Sequence, residues 1–100
     1  MKLKIAINGF GRIGRNAFKI AAARDDMQVV VINDLGDTKT LAYLLKHDSN
    51  YGTYGPVVSF DDDHLIVDTH HVKVLAEKEP AKLPWKELGI DVVIESTGRF

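Results

Sequence analysis

The chain has no cysteine, which excludes disulfides, thiolate metal sites and a thiol nucleophile within these residues. It also lacks an excess of charge: thirteen Lys and Arg against fourteen Asp and Glu leave a net charge of −1. No field attracts nucleic acid or an anionic membrane, and any bound anion must be held locally. Long apolar runs are missing as well. The opening MKLKIAING carries two lysines but too short an apolar stretch for a signal peptide, and nothing approaches the length of a membrane span. The default setting is therefore cytoplasmic. There are three prolines, with no internal repeat and no low-complexity segment. What is present is ordinary for a globular protein, with 45% hydrophobic and 27% charged residues. One hundred residues fit a single domain, which buries about 60 to 70% of its unfolded surface and keeps a thin stability margin.

The stretch that organises the chain is Ile5 to Gly14, IAINGFGRIG, where an apolar run stops at Asn8 and gives way to Gly9, Gly11 and Gly14. The spacing is GxGxxG, a weak signal alone among eight glycines. Its context strengthens it. Lys2 to Asn8 reads as a strand and Arg12 to Arg24 has helical periodicity, so the glycines fall on a strand-to-helix turn. Gly9 would turn the chain, Gly11 would let the backbone approach a pyrophosphate, and Gly14 would let the helix pack closely on the sheet. The unpaired N–H groups of the first helical turn would face the phosphates. On a helical wheel Ala17, Phe18, Ile20 and Ala21 share an apolar arc with Gly14, which leaves Arg15, Asn16 and Lys19 for a solvated face.

Met27 to Asn33, MQVVVIN, is the nearly continuous apolar run of a parallel strand buried on both faces. From Asp37, an N-cap residue type, Leu41, Ala42, Leu44 and Leu45 give a second helical face up to about Lys46. Residues 47 to 56, HDSNYGTYGP, read as an ordered loop. Val57 to Phe60 and His64 to Val67 form a hairpin pattern about Asp61 to Asp63, and Val72 to Leu75 supplies the third parallel strand. Pro80, Pro84 and Gly89 leave room for only a short helical piece around Trp85 to Leu88. Asp91 to Glu95, DVVIE, reads as a further buried strand. This order predicts an α/β fold, the first half of a doubly wound, mainly parallel sheet of Rossmann type.

In such a sheet the carboxyl ends of the parallel strands share one edge, where ligands bind. That edge gathers Asn8 to Gly11, then Asn33 and Asp34, then Lys78, then Ser96, Thr97 and Gly98. Asp34 lies twenty residues beyond Gly14, the position of the acid that binds the adenosine ribose in a dinucleotide fold. Its carboxylate can accept hydrogen bonds from both ribose hydroxyls at ~1.5 to 3 kcal/mol each. A 2′-phosphate beside it would cost on the order of 1 to 4 kcal/mol in like-charge repulsion. The position favours NAD over NADP. Three further clusters carry less. His64, His70 and His71 sit at expected turns with no cysteine partner, so no metal is assigned to them. His47 and Asp48 are adjacent and usually point apart, and Asp61 to Asp63 read as a solvated turn.

Taken together, INGFGRIGRNAF (7 to 18), VINDL (31 to 35), TLAYLLKHDSNYG (40 to 52) and LPWKELGIDVVIESTGRF (83 to 100) resemble the amino-terminal part of the glyceraldehyde-3-phosphate dehydrogenases over essentially the whole chain. That resemblance implies NAD-dependent, phosphorylating oxidation of glyceraldehyde 3-phosphate to 1,3-bisphosphoglycerate, in glycolysis, by a homotetramer. It also implies that Arg12 and Ile13 bind the cofactor through the glycine turn. Asp34 would take the adenosine ribose, Lys78 would contact the adenine side where the family more often has arginine, and Thr97 and Gly98 would line the adenosine. Asp48 and Ser49 resemble a part that meets another subunit. The family's catalytic cysteine, histidine base and phosphate-binding residues correspond to positions beyond Phe100. Residues 1–100 are therefore expected to be an incomplete NAD-binding domain, with the catalytic domain absent and an open parallel sheet edge. Erythrose-4-phosphate dehydrogenase, which shares the NGFGRIGRN opening, and a non-catalytic nucleotide-binding module are the alternatives.

Overall fold

A computed structural model describes residues 2–47 and 55–97. Six strands form one sheet: β1 (Leu3–Asn8), β2 (Met27–Asn33), β3 (Val58–Phe60), β4 (His64–Val67), β5 (His70–Leu75) and β6 (Val92–Glu95). Two helices, α1 (Arg12–Ala22) and α2 (Thr38–His47), cover it. The strand order is β3-β4-β5-β2-β1-β6, in which β5, β2, β1 and β6 run parallel while β3 and β4 add an antiparallel meander. The chain starts in the middle, moves outward through β2 to β5, and returns to the other side of β1 as β6. Between β1 and β6 the direction of winding reverses, which opens a crevice at the carboxyl ends of the strands. The α/β, Rossmann-type expectation holds.

The core follows from the apolar runs. Ile5 and Ile7 of β1, Val29 and Ile32 of β2, and Leu65, Val67 and Val72 of the meander pack with Phe10 of the glycine turn, Phe18 and Ala21 of α1, and Leu41, Ala42 and Leu45 of α2. β1 is buried from Ile5 to Asn8 because strands flank it on both sides. β2 carries one extra residue against β1, with Ile5 opposite Val29 and Ala6 opposite Val31. α2 is capped as expected: the Asp37 carboxylate accepts the Thr40 N–H at 2.7 Å, which draws its proton affinity below the ordinary carboxylate value.

Several local expectations are corrected. α1 stops at Ala22 rather than Arg24, and the Arg24 guanidinium instead takes both Asp26 carboxylate oxygens at 2.9 Å. The buried face of α1 is Gly14, Arg15, Phe18 and Ala21. Arg15 is thus buried rather than solvated, and Ile20 is 67% exposed. Arg15 Nη1 donates to the Phe10 carbonyl at 3.0 Å, so the guanidinium folds back onto the turn and is satisfied where it is buried. β5 begins at His70, earlier than the expected Val72, because the β4–β5 hairpin closes tightly with Val67 opposite His70 and with Asp68 at φ 55. No helix forms at Trp85 to Leu88. Residues 85–89 are a hydrogen-bonded turn, with Leu88 N on Pro84 O and Ile90 N on Trp85 O, and the short 3-10 segment lies earlier, at Pro80–Lys82. β6 is an edge strand among the described residues, so Val92 and Val93 are exposed rather than buried. Most of the loop 47 to 56, with Asp48 and Ser49, falls outside the described residues.

Candidate functional site

β1 delivers the chain into the glycine turn, and each glycine there meets a different demand. Gly9 has φ 94, and a Cβ on it would lie 2.8 Å from the Thr97 backbone, so both conformation and space require glycine. Gly14 lies under the turn, where a Cβ would press on the Gly9 carbonyl oxygen and come within 2.8 Å of Ser96 Oγ. Its close packing is therefore against the turn and the end of β6. Gly11 has no atom within 4 Å of its would-be Cβ, so its bare backbone faces open space. Phe10, between the first two glycines, is buried and packs edge-to-face on Phe18 with ring centroids 5.8 Å apart, which nails the turn to α1.

Gly11 is the N-cap of α1 and makes no side-chain cap, and the first turn holds no acidic residue. The first helical bond is Arg15 N to Gly11 O at 2.8 Å. The N–H groups of Arg12, Ile13 and Gly14 therefore have no partner within the helix, and no acid of the helix's own first turn compensates the positive end of its dipole.

A cavity of about 460 Å³ opens at this end of the sheet. Asn8, Gly9 and Gly11 enter it from the turn, Asn33 and Asp34 from the end of β2, Lys78 from beyond β5, and Ser96 and Thr97 from beyond β6. Four separate chain segments meet there, as the topology requires. Arg12 and Ile13 are exposed at the start of α1 without lining the cavity, and Gly14 is buried beneath it. Gly98 lies outside the described residues.

Asp34 is already engaged. One carboxylate oxygen accepts the Phe10 N–H at 2.7 Å and the other accepts the Gly36 N–H at 2.9 Å. A carboxylate offers about four lone-pair sites, so further acceptor capacity remains on both oxygens. The side chain of Asn33 is more fully used: Nδ2 donates to Asn8 Oδ1 at 2.9 Å and to Glu77 O at 3.0 Å, while Oδ1 accepts Glu77 N at 2.8 Å. With both amide protons committed, Asn33 can offer a ligand only acceptor capacity. Ser96 Oγ donates to Gly9 O at 2.5 Å and ties the end of β6 to the turn.

Leu35, Glu77 and Leu83 also line the cavity, and none is among the residues expected from sequence. Leu35 directly follows Asp34 and Glu77 directly precedes Lys78, so adjacency to the expected residues was the available signal. Leu83 arrives through the bend after the 3-10 segment, which periodicity does not reveal. The remaining polar clusters lie elsewhere. His64 Nδ1 sits 3.0 Å from Asp61 Oδ1, and the His64 and His71 rings pack edge-to-face. No helix among the described residues is long and apolar enough to cross a membrane.

An outward-winding parallel sheet with a glycine turn, an uncapped helix start and an acid at the end of the second strand defines the class as a dinucleotide-binding α/β domain. Residues 3–100 match the family described as glyceraldehyde 3-phosphate dehydrogenase, NAD binding domain. Similar proteins include glyceraldehyde-3-phosphate dehydrogenase of Borreliella burgdorferi, 58% identical over 98% of this chain and 29% of the relative. The Thermotoga maritima protein of that name is 56% identical over 97% of this chain and 30% of its own length. Glyceraldehyde-3-phosphate dehydrogenase 1 of Bacillus cereus is 54% identical over 97% of this chain and 29% of its own length. The chain belongs to the NAD-binding domain family of the glyceraldehyde 3-phosphate dehydrogenases, and its cofactor is NAD. It spans about 30% of the length of these relatives.

Proposed function

We propose that these residues form the cofactor-holding part of a phosphorylating glyceraldehyde-3-phosphate dehydrogenase, which oxidises glyceraldehyde 3-phosphate with NAD and phosphate to 1,3-bisphosphoglycerate. NAD, when bound, supplies the hydride acceptor. The chain's own residues bind and orient it. The turn Gly9 to Gly11 and the first N–H groups of α1 take the pyrophosphate. The carboxylate of Asp34 takes the adenosine ribose through the lone pairs that Phe10 and Gly36 leave unused. Leu35 and Leu83 give apolar surface for a base on the same side as Lys78, whose ammonium supplies charge without a planar stacking face. Asn8, Asn33, Ser96 and Thr97 hold these segments in register, and Gly98 is assigned to the adenosine side by the family resemblance alone.

The observation that carries this reading is the Asp34 carboxylate, fixed by two backbone N–H groups at the mouth of the cavity. Residues 1–100 contain no cysteine, and the family resemblance assigns the thiol nucleophile, its base and the substrate phosphate sites to other parts of such an enzyme. The homotetramer and the cytoplasmic setting rest on the family resemblance.

Calorimetric titration of the intact protein with NAD and with NADP tests the reading. NAD binds more tightly, by about tenfold or more, because the 2′-phosphate meets the Asp34 charge. Tighter binding of NADP would refute the role of Asp34.

A further inference from the structure

The polar groups at the cofactor edge are wired across the sheet. At one end Glu95, the last residue of β6, accepts from Asn8 Nδ2 at 2.7 Å through one carboxylate oxygen. Its other oxygen accepts Thr97 Oγ1 at 2.8 Å and Thr97 N at 3.3 Å. Asn8, on β1, turns its Oδ1 to Asn33 on β2, and Asn33 in turn grips both the N–H and the carbonyl of Glu77 beyond β5. The chain of bonds thus crosses from β6 to the segment after β5 and ends next to Lys78.

An ionised carboxylate only accepts, whereas an amide side chain can present either its oxygen or its nitrogen to a neighbour. With Glu95 at one end, Asn8 must direct its nitrogen toward β6 and its oxygen toward β2. Asn33 must then direct its nitrogen toward Asn8, which leaves its oxygen for the Glu77 N–H. The reverse orientation would set Nδ2 of Asn33 against a backbone donor and release that bond, at the cost of an unsatisfied group. Slight desolvation works against the charge of Glu95, but the hydrogen bonds from Asn8 and Thr97 together draw its proton affinity below the ordinary carboxylate value, which keeps it an acceptor.

We propose that Glu95, which does not line the cavity, is a positioning residue: as the terminal acceptor it anchors Asn8, whose Oδ1 holds Asn33 Nδ2, and so stiffens the amide relay that fixes the Glu77 backbone and hence the cavity wall carrying Lys78. The effect on ligand binding rests on the reading of that cavity as the NAD site, whereas the relay itself does not.

The test compares Glu95→Ala and Glu95→Gln in the intact protein. Glu95 is exposed among the described residues, and circular dichroism with thermal melting checks that both variants fold. Alanine removes the terminal acceptor; glutamine keeps one oxygen for Asn8 Nδ2 but loses the charge and the oxygen that accepts from Thr97. The first readout is hydrogen exchange of the Glu77 amide without ligand, which rises about tenfold in Glu95→Ala, the equivalent of one weakened hydrogen bond, and stays near the wild-type rate in Glu95→Gln. The second is NAD affinity by calorimetry, which falls roughly three- to tenfold in Glu95→Ala and is restored in Glu95→Gln. An unchanged Glu77 exchange rate in Glu95→Ala, or a glutamine variant as impaired as alanine, would overturn the proposal. So would an altered exchange rate with NAD affinity untouched in a protein that binds NAD. If the exchange pattern appears but even the wild type binds no NAD, the relay stands and the assignment of the cavity falls.

Discussion

Replacing Gly14 and Gly11 separately by alanine divides the glycine turn into a packing part and a binding part. At position 14 the added methyl group would press on the Gly9 carbonyl oxygen and stand 2.8 Å from Ser96 Oγ. Neither neighbour retreats easily. The Ser96 hydroxyl is bonded to that same carbonyl, and Gly9 N is bonded to Asn33 O at 2.8 Å. Forcing a methylene-sized group into such a contact costs ~1 to 3 kcal/mol, offset by up to ~1 kcal/mol from the better helix propensity of alanine. Because the contact is with backbone that is itself hydrogen-bonded, the cost lies in the upper part of that range, about 2 to 3 kcal/mol, and Gly14→Ala is less stable by about 1 to 2 kcal/mol after the offset; the displaced turn also weakens NAD binding. At position 11 the backbone has φ −77 and no atom lies within 4 Å of the new carbon. Gly11→Ala loses only the N-cap preference, at most about 1 kcal/mol, yet places a methyl group on the surface that a pyrophosphate approaches. Its NAD affinity falls roughly tenfold or more, as for a clash of ~1.4 kcal/mol. Equilibrium urea unfolding and calorimetric titration of both variants give the two readouts. If Gly14→Ala equals or exceeds the wild type in stability, α1 is not seated against the turn as described. If Gly11→Ala binds NAD normally, the pyrophosphate does not cross the turn at that residue.

Two further perturbations test other parts of the same end of the molecule. Arg15→Ala removes a buried guanidinium from the Phe10 carbonyl and lowers unfolding free energy by about 1.5 to 3 kcal/mol; Arg15→Lys recovers only part of it, since an ammonium lacks the fork. An unchanged denaturation midpoint would contradict that account. Asp37 caps α2 with its folded proton affinity depressed, chiefly by the Thr40 N–H. Its contribution is present above the ordinary value of 3.8 and is lost as pH falls through the lower folded value. Asp37→Ala accordingly melts at a lower temperature than the wild type at pH 7, with the gap closing under acid conditions, whereas Asp37→Asn retains the cap and shows no such closing. A gap independent of pH would refute the carboxylate's role.

The parts of the fold that were legible from sequence were those written as a periodicity. The run Met27–Asn33 declared a buried central strand, and Asp37 with the leucines after it declared α2. The site edge was legible because parallel topology alone brings Asn8, Asp34, Lys78 and Thr97 to one place. Phase was harder than period. Ile20 and Arg15 exchange places relative to the wheel, and the bond to Phe10 O that satisfies the buried guanidinium depends on a tertiary turn that helical periodicity does not record. The segment after Lys78 was misread for a related reason. Prolines at 80 and 84 forbid a regular helix but leave open whether the chain uses a 3-10 segment or a turn. Glu95 and Glu77 escaped notice since their importance lies in a route of hydrogen bonds through two asparagines, which no linear spacing records.

The double grip of Asp34 on Phe10 N and Gly36 N has an evolutionary consequence. On the role proposed for Asp34, cofactor preference and the shape of the glycine turn are carried by one side chain and do not drift independently. A substitution that makes room for a 2′-phosphate leaves two backbone donors stranded at the same stroke. A lineage changing its cofactor must therefore first acquire another acceptor for the Phe10 N–H, which makes the path epistatic and its order of steps nearly obligatory. An engineer repeating the change should seek the second mutation at the turn before making the first at position 34.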